Sequence, residues 1–202
     1  MNIAILGATG TFGKAFVEDL LQKTDYQLTL IARHAEEVYQ NSDRIVAINT
    51  DATNEMNLKS ALGNMDAIYC AVSGEQLPFV AKNLVQIMPE LEITRLIFMG
   101  AVGIYNEIPV AMDGEDNVDN EPAQVPNRKA ADIIEASDLN YTVLRPGYLI
   151  EGEADDYVLT FKGEAAKGYK STIPSVIALA EKLLADNTLY SRMSVSITKD
   201  MT

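Results

Sequence analysis

The sequence predicts a doubly wound α/β fold, a single domain on one parallel sheet. Three observations carry that prediction. Short apolar runs alternate with helical stretches through the first half of the chain, the rhythm of βαβ units. The first strand run, Ile3 to Leu6, is continuously apolar, as strands buried on both faces are. A glycine-rich turn joins the first strand to the first helix. The chain has 202 residues, enough for one large domain or two small ones at about 100–200 residues per domain. No repeat, low-complexity tract or linker divides it, so one domain over 1–202 is expected, with residues from about 146 onward as a small substrate-side extension.

Taken in order, Ile3 to Leu6 is the first strand. The helix after the turn carries Phe12, Phe16 and Leu20 on one face and Lys14, Glu18, Asp19, Gln22 and Lys23 on the other. Strands follow at Leu28 to Ala32 and Ile45 to Ile48, then a short helix at Asn57 to Leu62. Asp66 to Val72 reads as a strand, Leu77 to Met88 as a long helix and Leu96 to Met99 as the centre of a fifth strand. The alternation then breaks. Residues 107–121 hold Glu107, Asp113, Glu115, Asp116, Asp119 and Glu121 with no basic residue, which predicts a solvated loop. Beyond it come a helix from Pro126 to Ser137 and strands at Tyr141 to Leu144 and Tyr157 to Phe161. A helix at Ser175 to Leu184 and a strand at Met193 to Ile197 finish the chain. In that last strand Met193, Val195 and Ile197 alternate with Ser194, Ser196 and Thr198, which predicts one wetter face.

Composition narrows the functional classes. Sixteen basic against 29 acidic side chains leave a net charge of −13. That opposes nucleic-acid binding, which needs a basic footprint, and docking on an anionic membrane face. No apolar run approaches the ~18 residues of a membrane span. Ile3 to Leu6 is too short for a signal peptide and has no basic residue before it. A cytoplasmic location is expected. The lone cysteine, Cys70, excludes an internal disulfide and reads as a buried thiol. With His34 the only histidine, no histidine–cysteine metal cluster is expected. The eight methionines read as core filler.

The turn Gly7-Ala8-Thr9-Gly10-Thr11-Phe12-Gly13 is the most informative stretch. Glycines let the backbone turn sharply and approach a pyrophosphate, and a further glycine lets helix and strand pack closely. The helix N-terminus then offers free N–H groups and a positive dipole end. The spacing is G-x-x-G-x-x-G, in the strand–turn–helix context that dinucleotide binding needs. Arg33 stands 20 positions after Gly13, at the end of the second strand, where a carboxylate would hold a free ribose 2′-OH. A guanidinium there pairs with a 2′-phosphate, so NADP is favoured over NAD. His34 reads as its electrostatic neighbour.

With this turn, Arg33, the Thr50–Thr53 run TDAT, CAVSG at Cys70–Gly74 and LRPG at Leu144–Gly147, the chain resembles atypical short-chain dehydrogenases/reductases of the small NAD(P)H-binding, NmrA-like branch. The resemblance covers nearly the whole chain and implies a Rossmann fold. It also implies that Gly7, Thr9, Gly10, Thr11, Phe12 and Gly13 form the pyrophosphate turn, and that Arg33 meets the 2′-phosphate. Asp51 and Ala52 would sit beside the adenine, Ala71 and Val72 under the adenine ribose. Lys129 would bond the nicotinamide ribose, and the run Pro146 to Leu149, with Gly147 and Tyr148 inside it, would flank the nicotinamide. The departures matter as much. The family's serine stretch after the fifth strand reads Gly100-Ala101-Val102-Gly103-Ile104-Tyr105, without a hydroxyl at either serine position. Val125 stands where a Tyr-x-x-x-Lys motif ending at Lys129 needs tyrosine. Carbonyl–alcohol chemistry thereby loses its acid–base partner. Tyr105 and Tyr148 are the candidate replacements, so Lys129 and Tyr105 stand as candidate catalytic residues.

Three functions follow. The first is an NADP-dependent oxidoreductase acting on a small soluble acceptor, with quinones and flavins most tolerant of the missing tyrosine. The second is an NADP(H)-binding redox sensor without turnover. The third is a nucleotide-sugar epimerase or dehydratase, for which the chain is short. The acidic loop and the cluster Glu151, Glu153, Asp155 and Asp156 follow strands on the ligand side of such sheets; a solvated rim is the better reading of both.

Overall fold

The computed structural model describes residues 1–112, 114–154 and 156–200. Asp113 and Asp155 of the two acidic segments lie outside the described residues. In chain order the elements are β1 (Asn2–Leu6), α1 (Thr11–Lys23), β2 (Gln27–Ala32), α2 (Ala35–Val38), β3 (Ile45–Asn49), α3 (Glu55–Ala61), β4 (Ala67–Cys70), α4 (Leu77–Glu90), β5 (Arg95–Met99), α5 (Val125–Glu135), β6 (Tyr141–Pro146), β7 (Tyr148–Ile150), β8 (Val158–Phe161), β9 (Lys170–Thr172), α6 (Ile173–Ala185) and β10 (Met193–Thr198).

The main sheet has the order β3-β2-β1-β4-β5-β6-β10-β8. It is parallel except at one edge, where β8 runs antiparallel to β10. Side chains alternate across it. Ala4 and Leu6 pack with Leu58, Leu84, Ile87 and Ile134 under α3, α4 and α5. Ile3 and Ile5 pack with Phe16, Leu20, Val176 and Leu183 under α1 and α6. Burial on both faces is why the strands read as continuous apolar runs. Two helices start where side chains cap them: at α3 Asn54 accepts from the Asn57 N–H, and at α6 Thr172 accepts from the Ser175 N–H.

Three expectations are corrected. Residues 146–202 are not an appendage, because β10 and β8 extend the main sheet and α6 covers it; only β7 and β9 pair apart, as a small parallel ribbon. Ser194, Ser196 and Thr198 are buried, not wet. β10 lies inside the sheet, and there Ser196 hydrogen-bonds the Thr160 hydroxyl of β8. Nor is the segment 107–121 merely a solvated loop. It folds through 3-10 turns at Val110–Met112 and Gly114–Asp116. Asn117 brackets Ile108, accepting from its N–H at 3.0 Å and donating to its carbonyl at 2.8 Å. Glu107 is buried and ion-paired with Arg145. Arg145 lies far along the chain from Glu107, so local composition could not reveal that pairing.

Candidate cofactor cleft and substrate side

A cleft of about 330 Å³ opens at the carboxyl ends of β1 to β4. Gly7, Thr9, Gly10, Arg33, Asp51, Ala52, Ala71 and Val72 line it, all anticipated from the sequence. So do His34, Thr50, Ser73 and Gln76. Of these, Ser73 and Gln76 were legible from one signal, their place just past a strand's carboxyl end, where open α/β sheets bind ligands.

Backbone proximity explains the turn. Gly7 has φ +76°, and a Cβ there would come within 2.7 Å of the Ala71 carbonyl. A Cβ on Gly13 would lie 2.2 Å from the Gly7 carbonyl, so this glycine lets α1 press against the turn. Thr11 is exposed at the first helical position, while the Phe12 side chain packs into the α1–α6 core. The expectation that Phe12 lines the pyrophosphate is corrected to this extent: its side chain packs into the core. Gly10 caps α1 without a side-chain hydrogen bond, and the first turn has no acidic residue. The N–H groups there therefore stay open toward the cleft, a fit to an anionic pyrophosphate. The turn is also held from outside. The Tyr39 hydroxyl donates to the Ala8 carbonyl at 2.7 Å, a contact across 31 residues with no local sequence signal.

Arg33 is exposed and makes no hydrogen bond or ion pair among the described residues. His34 pairs instead with Glu37, at 2.9 Å. Asp51 builds its own turn, its Oδ1 accepting from the Thr53 N–H at 2.9 Å and from the Thr53 hydroxyl at 2.8 Å. These bonds hold its carboxyl below the ordinary range, with a smaller contribution from the Arg33 charge. The Asn83 amide donates to the Ala52 carbonyl at 2.9 Å and fixes this rim against α4. Cys70, beside the rim at the end of β4, is buried, and its thiol is pushed up to about 12 by that burial.

The other half of the carboxyl edge differs. Gly100 and Ala101 follow β5, and Val125 opens α5, so no hydroxyl stands at those three places. Lys129 is corrected. It is exposed, and about 200° of helix separates it from buried Ala131. Asn127, three and four residues before Ala130 and Ala131, takes the inward face. Its amide donates to Gln124 Oε1 at 3.0 Å, and Gln124 donates to the Val102 carbonyl at 3.3 Å. Tyr105 is corrected too. Its hydroxyl donates to Glu135 and lies 3.2 Å from Ser194 Oγ. Arg128, Arg145 and Lys162 surround its ring at 4.6–4.9 Å from the centroid. Burial, and then the Glu135 carboxylate, raise its pKa, so this phenol holds its proton. It lines a separate hollow with Arg128 and Lys162, away from the cofactor cleft.

Pro146, Gly147 and Leu149 do not line the cleft. The Pro146 carbonyl accepts from the Val102 N–H at 2.9 Å. A Cβ on Gly147 would sit 2.1 Å from the Tyr169 carbonyl, so that glycine lets β7 close against β9. Among the described residues no group of three or more His, Cys, Asp or Glu could hold a metal, and no helix is long and apolar enough to cross a membrane.

Comparison with known proteins agrees with this geometry. A family model described as NAD(P)H-binding matches residues 7–187. A Rossmann-fold NAD(P)-binding family protein from Shigella flexneri is 30% identical, with a TM-score of 0.84 over 100% of this chain and 94% of that one. A short-chain dehydrogenase/reductase from Veillonella parvula DSM 2008, solved in complex with NADP, is 27% identical, with a TM-score of 0.86 over 100% and 95% of the two chains. ChuY, an anaerobilin reductase from Escherichia coli O157:H7, shares the fold at 18% identity and a TM-score of 0.80, over 100% of this chain and 98% of that one. No curated protein matches. A match over nearly the whole chain, on a cleft whose glycine turn and open helix end suit a dinucleotide, makes this protein a member of the NAD(P)H-binding family.

Proposed function

We propose that the protein binds NADP(H) in preference to NAD(H) and reduces a small acceptor that needs no proton donor from the protein, such as a quinone or a flavin. The observation that carries this is Arg33, a cleft-lining guanidinium at the end of β2 that makes no hydrogen bond or ion pair among the described residues. Its charge suits a 2′-phosphate. When bound, the nicotinamide supplies a hydride. The protein's part is to hold the pyrophosphate on the open N–H groups of α1 and the adenosine between Arg33, Asp51 and Ala71. At the reacting end the family's usual acid–base partners are missing, since Gly100, Ala101 and Val125 carry no hydroxyl and Tyr105 is committed to Glu135. That same lack favours a second reading, an NADP(H) sensor without turnover.

The test pairs a titration of NADPH with a turnover screen. Tight NADPH binding, turnover with quinone or flavin acceptors, and rates at least ~10²-fold lower with aldehydes and ketones are expected, the usual scale of a lost general acid. Aldehyde or ketone turnover near ~10 s⁻¹ would overturn the reading. Tight binding with no turnover of any acceptor would establish the sensor instead.

A further inference from the structure

The carboxyl edge carries one aromatic side chain that the fold pins in place yet leaves open. Tyr148 begins β7, just past the end of β6, and is 61% exposed. Its ring lies on that of Tyr169, with centroids 6.0 Å apart and planes 28° from parallel. Tyr169 is itself buried. It packs with Val102, Ile108 and Ala166, and its hydroxyl donates to Asp116. The backbone is held as firmly. The Tyr148 N–H donates to the Tyr169 carbonyl at 2.7 Å, and the Gly147 N–H donates to Ser171 Oγ at 2.7 Å. The Tyr148 hydroxyl makes no hydrogen bond among the described residues. One ring face is thus occupied by Tyr169 and the other is free.

A single exposed aromatic is ordinary; its position here is not. In the order β2-β1-β4-β5-β6, the candidate cofactor cleft occupies the ends of β2, β1 and β4. Adjacent strands are ~4.8 Å apart, so the end of β6 lies about 10 Å beyond that of β4 along the same edge. A dinucleotide with its 2′-end at Arg33 and its pyrophosphate at Gly10 runs toward β6. We infer that the open face of Tyr148 is the stacking surface for the acceptor, and that the acceptor is a planar conjugated ring, a quinone or an isoalloxazine, and not an aliphatic carbonyl compound. The buried Tyr169 holds the platform flat, so little side-chain freedom is lost when a second ring stacks on it. This inference rests on the proposed function and narrows its substrate class.

The test measures binding of riboflavin, by its fluorescence, and of an uncharged naphthoquinone, by competition, with and without saturating NADP⁺. Tyr148→Ala should weaken both about two- to tenfold, the scale of one aromatic stack, and Tyr148→Phe, which keeps the ring, should restore them. Equal binding by Tyr148→Ala and the native protein overturns the inference. So does a Tyr148→Phe protein as weak as Tyr148→Ala, or a native protein that binds neither compound. Failure of the underlying reading shows elsewhere: a native protein that stacks riboflavin but does not bind NADPH in a separate titration refutes the cofactor assignment and leaves the platform standing.

Discussion

The two halves of the sheet's carboxyl edge treat their polar side chains in opposite ways. From β1 to β4 one charge is left open: Arg33 makes no hydrogen bond or ion pair among the described residues, and α1 starts without a side-chain cap. From β5 to β10 the polar side chains face one another. Arg145, fully buried, pairs with buried Glu107, and burial lowers its guanidinium from the ordinary value. Tyr105 is spent on Glu135. The difference separates a charge left open in a cleft from charges committed to the fold.

That contrast can be broken by experiment, and its largest expected effect lies on the structural side. Glu107→Ala strands the Arg145 charge in the interior and should cost about 3–5 kcal/mol of stability in urea denaturation. The NADPH affinity of the remaining folded protein should not move. A stable Glu107→Ala protein with impaired NADPH binding would show the two halves to be one functional unit. Arg33→Ala tests the opposite side. It should cost roughly 1.5–3 kcal/mol of NADPH affinity, about 10- to 150-fold by titration, while leaving NADH affinity and melting temperature nearly unchanged. Equal loss for both cofactors would remove the 2′-phosphate assignment. The smallest effect sharpens the boundary between the halves. Tyr39→Phe deletes the hydrogen bond to the Ala8 carbonyl and should weaken NADPH binding by about 0.5–1.5 kcal/mol, because the glycine turn loses an outside anchor. Were its whole effect on stability, Tyr39 would belong with Arg145 and not with Arg33.

The same division marks what could be read without coordinates. The cofactor half was legible because its signals are local. The strand's apolar run, the turn's glycines and the arginine at the next strand end are set by neighbours in sequence, since φ freedom, close backbone approach and an open helix end are properties of a few consecutive residues. The other half was legible only in its absences, the hydroxyls missing at Gly100, Ala101 and Val125. Its positive features were hidden. Lys129 matched a spacing, but the phase of α5 turned Asn127 inward. Glu107 sat in an acidic run, but a partner 38 residues on buried it.

By itself, then, the sequence determined the alternating architecture, the class of ligand and the loss of the usual acid. Periodicity, turn chemistry and side-chain identity are carried residue by residue. Only the tertiary structure decided which charges stay free, which tyrosine is locked and which is open, and that the last fifty residues complete the sheet. Those outcomes depend on pairs such as Tyr39 with Ala8, Tyr105 with Glu135 and Tyr148 with Tyr169, separated by 31, 30 and 21 positions. Such pairs exist only once the strands between them are in register, because burial sets both the cost of an unpaired group and the strength of the contact that satisfies it.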